Sequence, residues 1–324
     1  MLLIALAAAP PPSRAQSTAR ASEDPASPLP EAVRARLGQI PDEGTPDPGE
    51  HYPVSNEWRH DLWLPAIRDL GGVFVGVGPD QCYTLAAMQN ASLALLVDFD
   101  PVVPLVHRMY EVLVSETATP DDLVARFQDA GAADTRALLD RGLASDPRRD
   151  AILGLFDRTR PRWARYLRAV RRSRRDGVAG SWLADDALYA RVRTLFQSGR
   201  IVARNGDVTG ARTLRDIGTA SRELGLVVRV LYLSNAEQFF PYSSQFAENV
   251  RNLPTDDRSI VLRTFRARGA VYPARDRWHY VVQPVAGFVA RLGAGLRRSR
   301  ELEIEIVSRR QRRSTVPGLT VLDR

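Results

Sequence analysis

The chain reads VFVGVGPDQ at residues 73–81, and this stretch decides the fold. Residues 73–77 are β-branched or aromatic apart from one glycine and carry no charge, which is typical of a central strand buried on both faces. Gly78-Pro79-Asp80 ends that strand. A helix-compatible segment follows, and Ala94-Leu95-Leu96-Val97 predicts a second buried strand that ends at Asp98. The order of strand, glycine turn, helix, strand and acid is that of the first half of a Rossmann domain.

The alternation of strands and helices resumes near residue 200. Strands are predicted at Arg200–Ala203 and Val227–Tyr232, with further candidates at 258–265 and 278–283. The segment Glu301–Ile306 alternates strictly between acidic and apolar residues, which favours a half-exposed antiparallel edge strand. We therefore predict an α/β protein with a mostly parallel, Rossmann-like sheet, helices on both faces and an antiparallel edge strand near the C-terminus.

Two segments stand outside this alternation. Residues from about 104 to 199 are helical in pattern and too long for one crossover helix, so we predict a helical insertion after the second strand that packs over the ligand edge of the sheet. Residues 16–54 are rich in Pro, Ala, Ser and acids with little periodicity, which predicts a disordered leader. One α/β domain would then occupy residues 55–324.

The first 15 residues resemble a secretory signal. An apolar run leads to Ser13-Arg14-Ala15, with small residues at the two positions that signal peptidase reads. This pattern predicts a signal peptide at 1–15 and a periplasmic or secreted protein. The run lacks a basic start, so a cytoplasmic location stays open as the alternative. No later stretch has the roughly 18 apolar residues of a spanning helix, and we expect no transmembrane segment.

The charge is basic, at +7, and all 45 basic residues are arginine. Such uniform usage indicates biased codon composition more than a selected phosphate-binding surface. The densest run, Arg158–Arg175, therefore predicts a solvated helix face, and nucleic acid is not the expected partner. Trp163 and Tyr166 within the run leave binding to a phosphate backbone, with aromatic stacking, as a third alternative. The single cysteine excludes an intramolecular disulfide, and the four scattered histidines predict no metal site.

The candidate binding residues lie at predicted strand ends. At Gly76 and Gly78 the backbone can pass close to a nucleotide or an amino-acid carboxylate. Asp98, about 20 residues further on at the end of the next strand, can accept bonds from both ribose hydroxyls. Asp100 is a competing candidate for that role. Asp207 follows the third strand, and ligands of open α/β sheets bind at such carboxyl ends.

The fourth predicted strand ends at Ser234-Asn235, a position suited to the reacting groups of a ligand. Asn235 with Glu237 could orient or deprotonate an acceptor, which makes them the candidate catalytic pair. An asparagine at a strand end is equally suited to capping the helix that follows. The sequence contains no Gly-x-Ser-x-Gly elbow, HExxH helix or P-loop, so the common hydrolase and kinase functions lack support.

Three blocks carry a family resemblance: Ser55-Asn56-Glu57, Gly71–Gln81 and Tyr232–Gln238. They resemble an uncharacterised bacterial family with a class I S-adenosylmethionine (SAM)-dependent methyltransferase-like fold, over about Ser55 to Gln283. Asp80 stands where methyltransferases usually have the third glycine of G-x-G-x-G. The resemblance implies that the following residues face one crevice: Asn56, Glu57, Gly76, Gly78, Gln81, Asp98, Asn235 and Glu237. Together with the strand-end pattern, the predicted cofactor-binding set is Gly76, Gly78, Asp80, Gln81, Asp98, Asp207 and Ser234.

Two functions lead at this stage, and a methyltransferase associated with RNA or DNA through the arginine-rich helix is the third. The first is a SAM-dependent methyltransferase that acts on a small acceptor, with SAM as its cofactor. The alternative is an exported, non-enzymatic ligand-binding protein that kept the crevice and lost the chemistry, because the glycine motif is altered at Asp80 and the chain begins with a signal-like segment. Both predict a small-molecule ligand.

Overall fold

A computed structural model describes residues 25–308 and 316–322, so the predicted signal peptide at 1–15 lies outside the described residues. The strands are β1 (Val73–Val77), β2 (Leu93–Asp98), β3 (Arg174–Arg175), β4 (Val178–Ala179), β5 (Ile201–Asn205), β6 (Val228–Ser234), β7 (Ile260–Phe265), β8 (His279–Pro284) and β9 (Leu319–Val321). The α-helices are α1 (Glu31–Gly38), α2 (Leu64–Ile67), α3 (Gln81–Gln89), α4 (Val102–Ser115), α5 (Pro120–Arg126), α6 (Ala132–Gly142), α7 (Arg149–Arg171), α8 (Asp186–Gln197), α9 (Thr213–Glu223), α10 (Ser244–Asn252), α11 (Val285–Gly293) and α12 (Ser299–Ser308).

The main sheet has seven strands in the order β5-β2-β1-β6-β7-β8-β9. The first five are parallel, β8 is antiparallel to β7, and β9 pairs parallel to β8. The five parallel strands have the 3-2-1-4-5 order of a Rossmann sheet. The predicted α/β fold, with its mostly parallel sheet and an antiparallel edge near the C-terminus, is therefore confirmed.

Two apolar clusters cover the two faces of the sheet. Along β1, Phe74 packs into one cluster while Val73 and Val75 pack into the other, because successive side chains of a strand point to opposite faces. The first cluster contains the helices between β2 and β5. The second contains side chains from α1, α9, α10 and α11. Burial on both faces explains why β1 and β2 consist of almost continuous apolar residues.

The predicted helical insertion is present as α4 to α8, between β2 and β5. The insertion buries Trp163 beside Phe127, and it buries Trp182 against Tyr83 of α3. A small antiparallel hairpin of β3 and β4 follows α7 and was not predicted. The insertion thus forms one layer over one face of the sheet. Within the described ranges, no helix combines the length and the apolar character that crossing a membrane requires.

The predicted edge strand at Glu301–Ile306 is wrong, because these residues belong to α12. Leu302 and Ile306 are buried together against Phe265, whereas Ile304 is 56% exposed. A strictly alternating segment also places apolar residues four apart, which is one helical turn. Packing of Leu302 and Ile306 against Phe265 favours the helical period over the strand period. The antiparallel edge is formed by β8 and β9 instead.

The predicted disorder of the leader is also wrong from residue 29 onward. Leu29, Val33, Leu37 and Ile40 are each no more than 4% exposed and join the cluster on the α9 side of the sheet. Their spacings of four, four and three residues form one helical face in α1 and its flanks. Disorder was predicted from the overall composition of the segment. The prediction failed because these four apolar residues bury enough surface to order the segment.

Replacing Leu37 with alanine is expected to lower the free energy of unfolding by about 2–5 kcal/mol, the usual range for a buried leucine. Urea denaturation of the purified protein measures this change in the free energy of unfolding. Arg34 lies exposed on the same helix, and its replacement by alanine should change stability by no more than about 0.5 kcal/mol. Equal, small effects of both substitutions would show that α1 does not pack on the domain.

Candidate functional site

The strand order of the sheet reverses between β1 and β6, and ligands of open α/β sheets bind at such a point, beyond the carboxyl ends of the strands. The loop of residues 78–80 leaves β1 here, and β6 ends here at Ser234. Ser234 has a φ of 52°, a left-handed conformation that costs free energy for any residue except glycine. Strained residues of this kind concentrate at functional sites.

Glu57 lies buried in this crevice, with 2% of its surface exposed. Its carboxylate accepts hydrogen bonds from the hydroxyls of Tyr232 (2.7 Å), Ser234 (2.6 Å) and Thr264 (2.7 Å). Burial alone raises the pKa of Glu57, but the neighbouring His60 and these hydroxyl donors outweigh burial and lower it. Glu57 is therefore a fixed negative charge that joins the N-terminal segment to β6 and β7.

Asp80 is the second buried acid of the crevice, with 1% of its surface exposed. The hydroxyl of Tyr166 donates to Oδ1 over 2.7 Å, and Nε1 of Trp182 donates to Oδ2 over 3.2 Å. Burial raises the pKa of Asp80, against the effect of these two hydrogen bonds. Tyr166 lies on α7, so the helical insertion packs over this edge of the sheet as its sequence pattern predicted.

A cavity of about 10 Å³ is lined by both Glu57 and Asp80 and by His60 and Gln81. A space of this size holds one group of the size of a water molecule. His60 Nε2 and Gln81 Oε1 are buried and have no hydrogen-bond partner among the described residues. No group of three or more His, Cys, Asp or Glu side chains in residues 25–308 and 316–322 is arranged to hold a metal ion.

The two predicted glycines have different surroundings. A Cβ on Gly76 would collide with the ring of Phe74 and would lie 3.1 Å from Cys82 Sγ, so this glycine permits close packing inside the sheet. Gly78 has a φ of 107°, where only glycine is unstrained, and a Cβ there would collide with the side-chain amide of Gln81. The loop after β1 therefore faces a flexible glutamine side chain at the point where the sequence predicts a cofactor.

Asp98 ends β2 beside that loop. Its Oδ1 accepts a hydrogen bond from the amide of Asp100 over 2.8 Å, and burial raises its pKa to about 7 although the amides of Asp100 and Gly78 lower it. The competing Asp100 is bound to the N-terminal segment, through His51 Nδ1 (2.9 Å) and the amide of Tyr52 (3.3 Å). Asp98 is therefore the better placed of the two acids for a ribose.

We call residues 41–60 the N-terminal strap, because they cross the carboxyl ends of β5, β2 and β6. Glu43 accepts bonds from the amides of Asp207 (2.8 Å) and Arg212 (3.0 Å). The carboxylate of Asp207 itself accepts from the amide and the hydroxyl of Thr209, both at 2.7 Å. Asp207 thus closes its own turn, and its role in cofactor binding remains a prediction.

The structure does not bring the candidate catalytic pair together. The Asn235 side chain stays at the crevice, with Oδ1 3.3 Å from Ser234 Oγ. Glu237 is fully buried in an ion pair with Arg263, with Nε and Oε2 2.8 Å apart. Because Arg263 and Thr264 are neighbours in β7, they point to opposite faces, and Thr264 contacts Glu57. Glu237 consequently lies on the other side of the sheet.

Four residues of the crevice were not predicted from the sequence: His60, Thr264 and the two aromatic donors to Asp80. The position of His60, three residues after Glu57, was an available signal for a paired acid and base. Thr264, Tyr166 and Trp182 lie 207, 86 and 102 residues from the acids that they contact, and no local pattern connects them. Only the packing of β7 and of the insertion brings them to the crevice.

Comparison with known proteins gives one family. A family model described as "Domain of unknown function (DUF7790)" matches residues 52–323, which include the end of the strap and all strands of the sheet. A search of curated proteins returned no match.

Proposed function

The chain belongs to the DUF7790 family, a domain of unknown function, and from that starting point we propose that it binds SAM at the carboxyl edge of its sheet and methylates a small acceptor. The observation that carries the proposal is the position of Asp98. Its carboxylate ends β2 beside the Gly78 loop, in a sheet with the 3-2-1-4-5 strand order. An acid at this position in such sheets accepts hydrogen bonds from ribose hydroxyls.

The residues of this edge fit the cofactor in charge. SAM, when bound, supplies a methyl group carried on a positively charged sulfonium. Glu57 contributes a fixed negative charge beside the ends of β1 and β6, which favours a cation in a site of low dielectric. Gly78 lets the backbone pass close to the side-chain amide of Gln81, which is a further polar group at this edge. The insertion, through Tyr166 on α7, limits access of water to the same edge.

Titration calorimetry with SAM, and with its demethylated product, tests the proposal. Asp98→Asn is expected to weaken binding by about 10-fold to 100-fold, because hydrogen bonds to a charged group contribute about 1.5–3 kcal/mol. Asp150→Asn is the matched control, since that side chain is 89% exposed and lies outside the predicted binding set. No heat with the unmodified protein would refute SAM binding. Unchanged binding in Asp98→Asn, or equal weakening in both variants, would refute the role of Asp98.

The affinity for SAM should also depend on pH through Asp98. With its pKa at about 7, the group becomes a full acceptor only as pH rises from about 6 to about 8, so affinity should increase over that range. The unfolded chain loses this proton near the ordinary value of 3.8. The contribution of this group to stability therefore falls as pH rises between 3.8 and about 7. A pH series of titrations should be flat for Asp98→Asn.

A second candidate function is a non-enzymatic ligand-binding protein. Three observations favour it: Gln81 occupies the space before Gly78, the polar cavity holds only about 10 Å³, and the strap is hydrogen-bonded across the ends of β5 and β2. Fractionation of bacteria that express the full chain separates the two functions. A shortened chain in the periplasm that gives no heat with SAM would favour the binding protein, and SAM binding by an intact cytoplasmic chain would exclude it.

A further inference from the structure

The small cavity between the strap and α7 has an excess of negative charge. Glu57 and Asp80 both line it, and their exposed fractions are 2% and 1%. Among the ion pairs of residues 25–308 and 316–322, only His60 contacts either acid, with Nε2 3.7 Å from Glu57 Oε2. Burying two carboxylates beside a single histidine is costly unless a proton or a cation compensates them.

Two polar atoms of the cavity wall have no hydrogen-bond partner among the described residues. Gln81 Oε1 is buried, is an acceptor, and has no partner among the described residues. His60 Nε2 is also buried without a hydrogen-bond partner among the described residues, and the two side chains are each 5% exposed. Buried polar atoms are almost always hydrogen-bonded in folded proteins. Gln81 Oε1 and the two carboxylates therefore present to this cavity a set of acceptors that suits a group with several N–H donors and a positive charge.

The volume of the cavity and its aromatic lining indicate which chemical group fits it. About 10 Å³ accommodates one non-hydrogen atom with its hydrogens. An ammonium group has that size, donates three hydrogen bonds and accepts none. Trp58 and Tyr166 line the cavity with ring centroids 5.9 Å apart, and aromatic faces attract such cations.

We propose that this cavity binds the ammonium group of a small primary amine, with Glu57, Asp80 and Gln81 Oε1 as its acceptors. As the acceptor class for methyl transfer, this assignment rests on the proposed function, and the transfer would require that the ammonium first gives one proton to Asp80, so that the nitrogen regains a lone pair for the methyl group that SAM would supply. Asp80 and Gln81 follow Gly78 by only two and three residues, so a nitrogen held by them lies next to the loop that we assign to the cofactor. The site thus selects a small cationic amine.

Thermal unfolding and titration calorimetry with methylammonium chloride test the pocket. Ionic strength is held constant with sodium chloride, and tetramethylammonium and potassium chloride serve as comparison cations. Near 100 times the Kd, methylammonium is expected to raise Tm by about 5 °C or more, and the comparison cations by much less. Tetramethylammonium has the same charge, but it has no N–H donors and is too large for the cavity.

Two substitutions identify the acceptors. Asp80→Asn should weaken methylammonium binding about 10-fold or more, and Gln81→Met, which keeps the length of the side chain, about 3-fold to 10-fold. Gln81→Met retains both acids and supplies the test if Asp80→Asn does not fold. Asp150→Asn removes an acid whose side chain is 89% exposed and should leave binding unchanged.

Each outcome decides a separate point. Equal effects of potassium or tetramethylammonium, no effect of methylammonium, or unchanged binding in both pocket variants would overturn the amine pocket. Binding of SAM without binding of methylammonium removes only the amine as acceptor class. Binding of methylammonium without binding of SAM overturns methyl transfer and keeps the amine pocket.

Discussion

Glu57→Ala is expected to lower the free energy of unfolding by about 3–5 kcal/mol, because it leaves three buried hydroxyls without their acceptor. Those hydroxyls belong to Tyr232, Ser234 and Thr264, on β6 and β7. The substitution also releases the strap from the ends of both strands. Urea denaturation gives the free energy, and Glu57→Gln should lose less because the amide oxygen still accepts from some of the donors.

The control for this prediction is Glu223→Ala. Glu223 pairs with Arg36 at the surface, with 53% of its side chain exposed, and such pairs contribute about 0–1 kcal/mol. A loss of less than 1 kcal/mol for Glu57→Ala, similar to that of the control, would mean that the buried carboxylate does not hold the strap to the sheet.

Glu237→Ala is expected to lower the free energy of unfolding by about 3–5 kcal/mol, since it leaves the Arg263 guanidinium buried without its carboxylate. Arg263 is completely buried and would keep only neutral contacts, with Gln283 Oε1 at 2.8 Å and the ring of Phe288 at 4.2 Å. The double variant Glu237→Leu with Arg263→Met should be much more stable than Glu237→Ala, because it removes both charges.

This double-mutant comparison distinguishes a structural role of Glu237 from the catalytic role that its sequence position suggested. A structural pair predicts large single losses that are partly recovered in the double variant. A catalytic residue predicts near-normal stability of the single variant and no recovery. Asn235→Ala, at the crevice itself, is the companion variant and should cost no more than about 1 kcal/mol in the free energy of unfolding.

Much of the fold could be predicted from short runs of apolar residues in the sequence. A strand buried on both faces must be almost uniformly apolar, so VFVGV and ALLV identified β1 and β2 without any knowledge of their neighbours. The segment at 301–306 was misassigned because its alternation satisfies two periods at once. Burial of Leu302 and Ile306 against Phe265 chose the helical period, and that contact is not visible in the segment.

The sequence by itself determined the order of elements and placed acids at the strand ends, because these depend on hydrophobic period and on local turn chemistry. Only the tertiary structure decided what each acid does. It bound Asp100 to the strap and left Asp98 beside the Gly78 loop. It turned Glu237 to the far face of β7, and it enclosed Glu57 with Asp80 in one cavity. These roles depend on partners as far as 207 residues away, and long-range hydrogen bonds form only when the sheet and its insertion pack together.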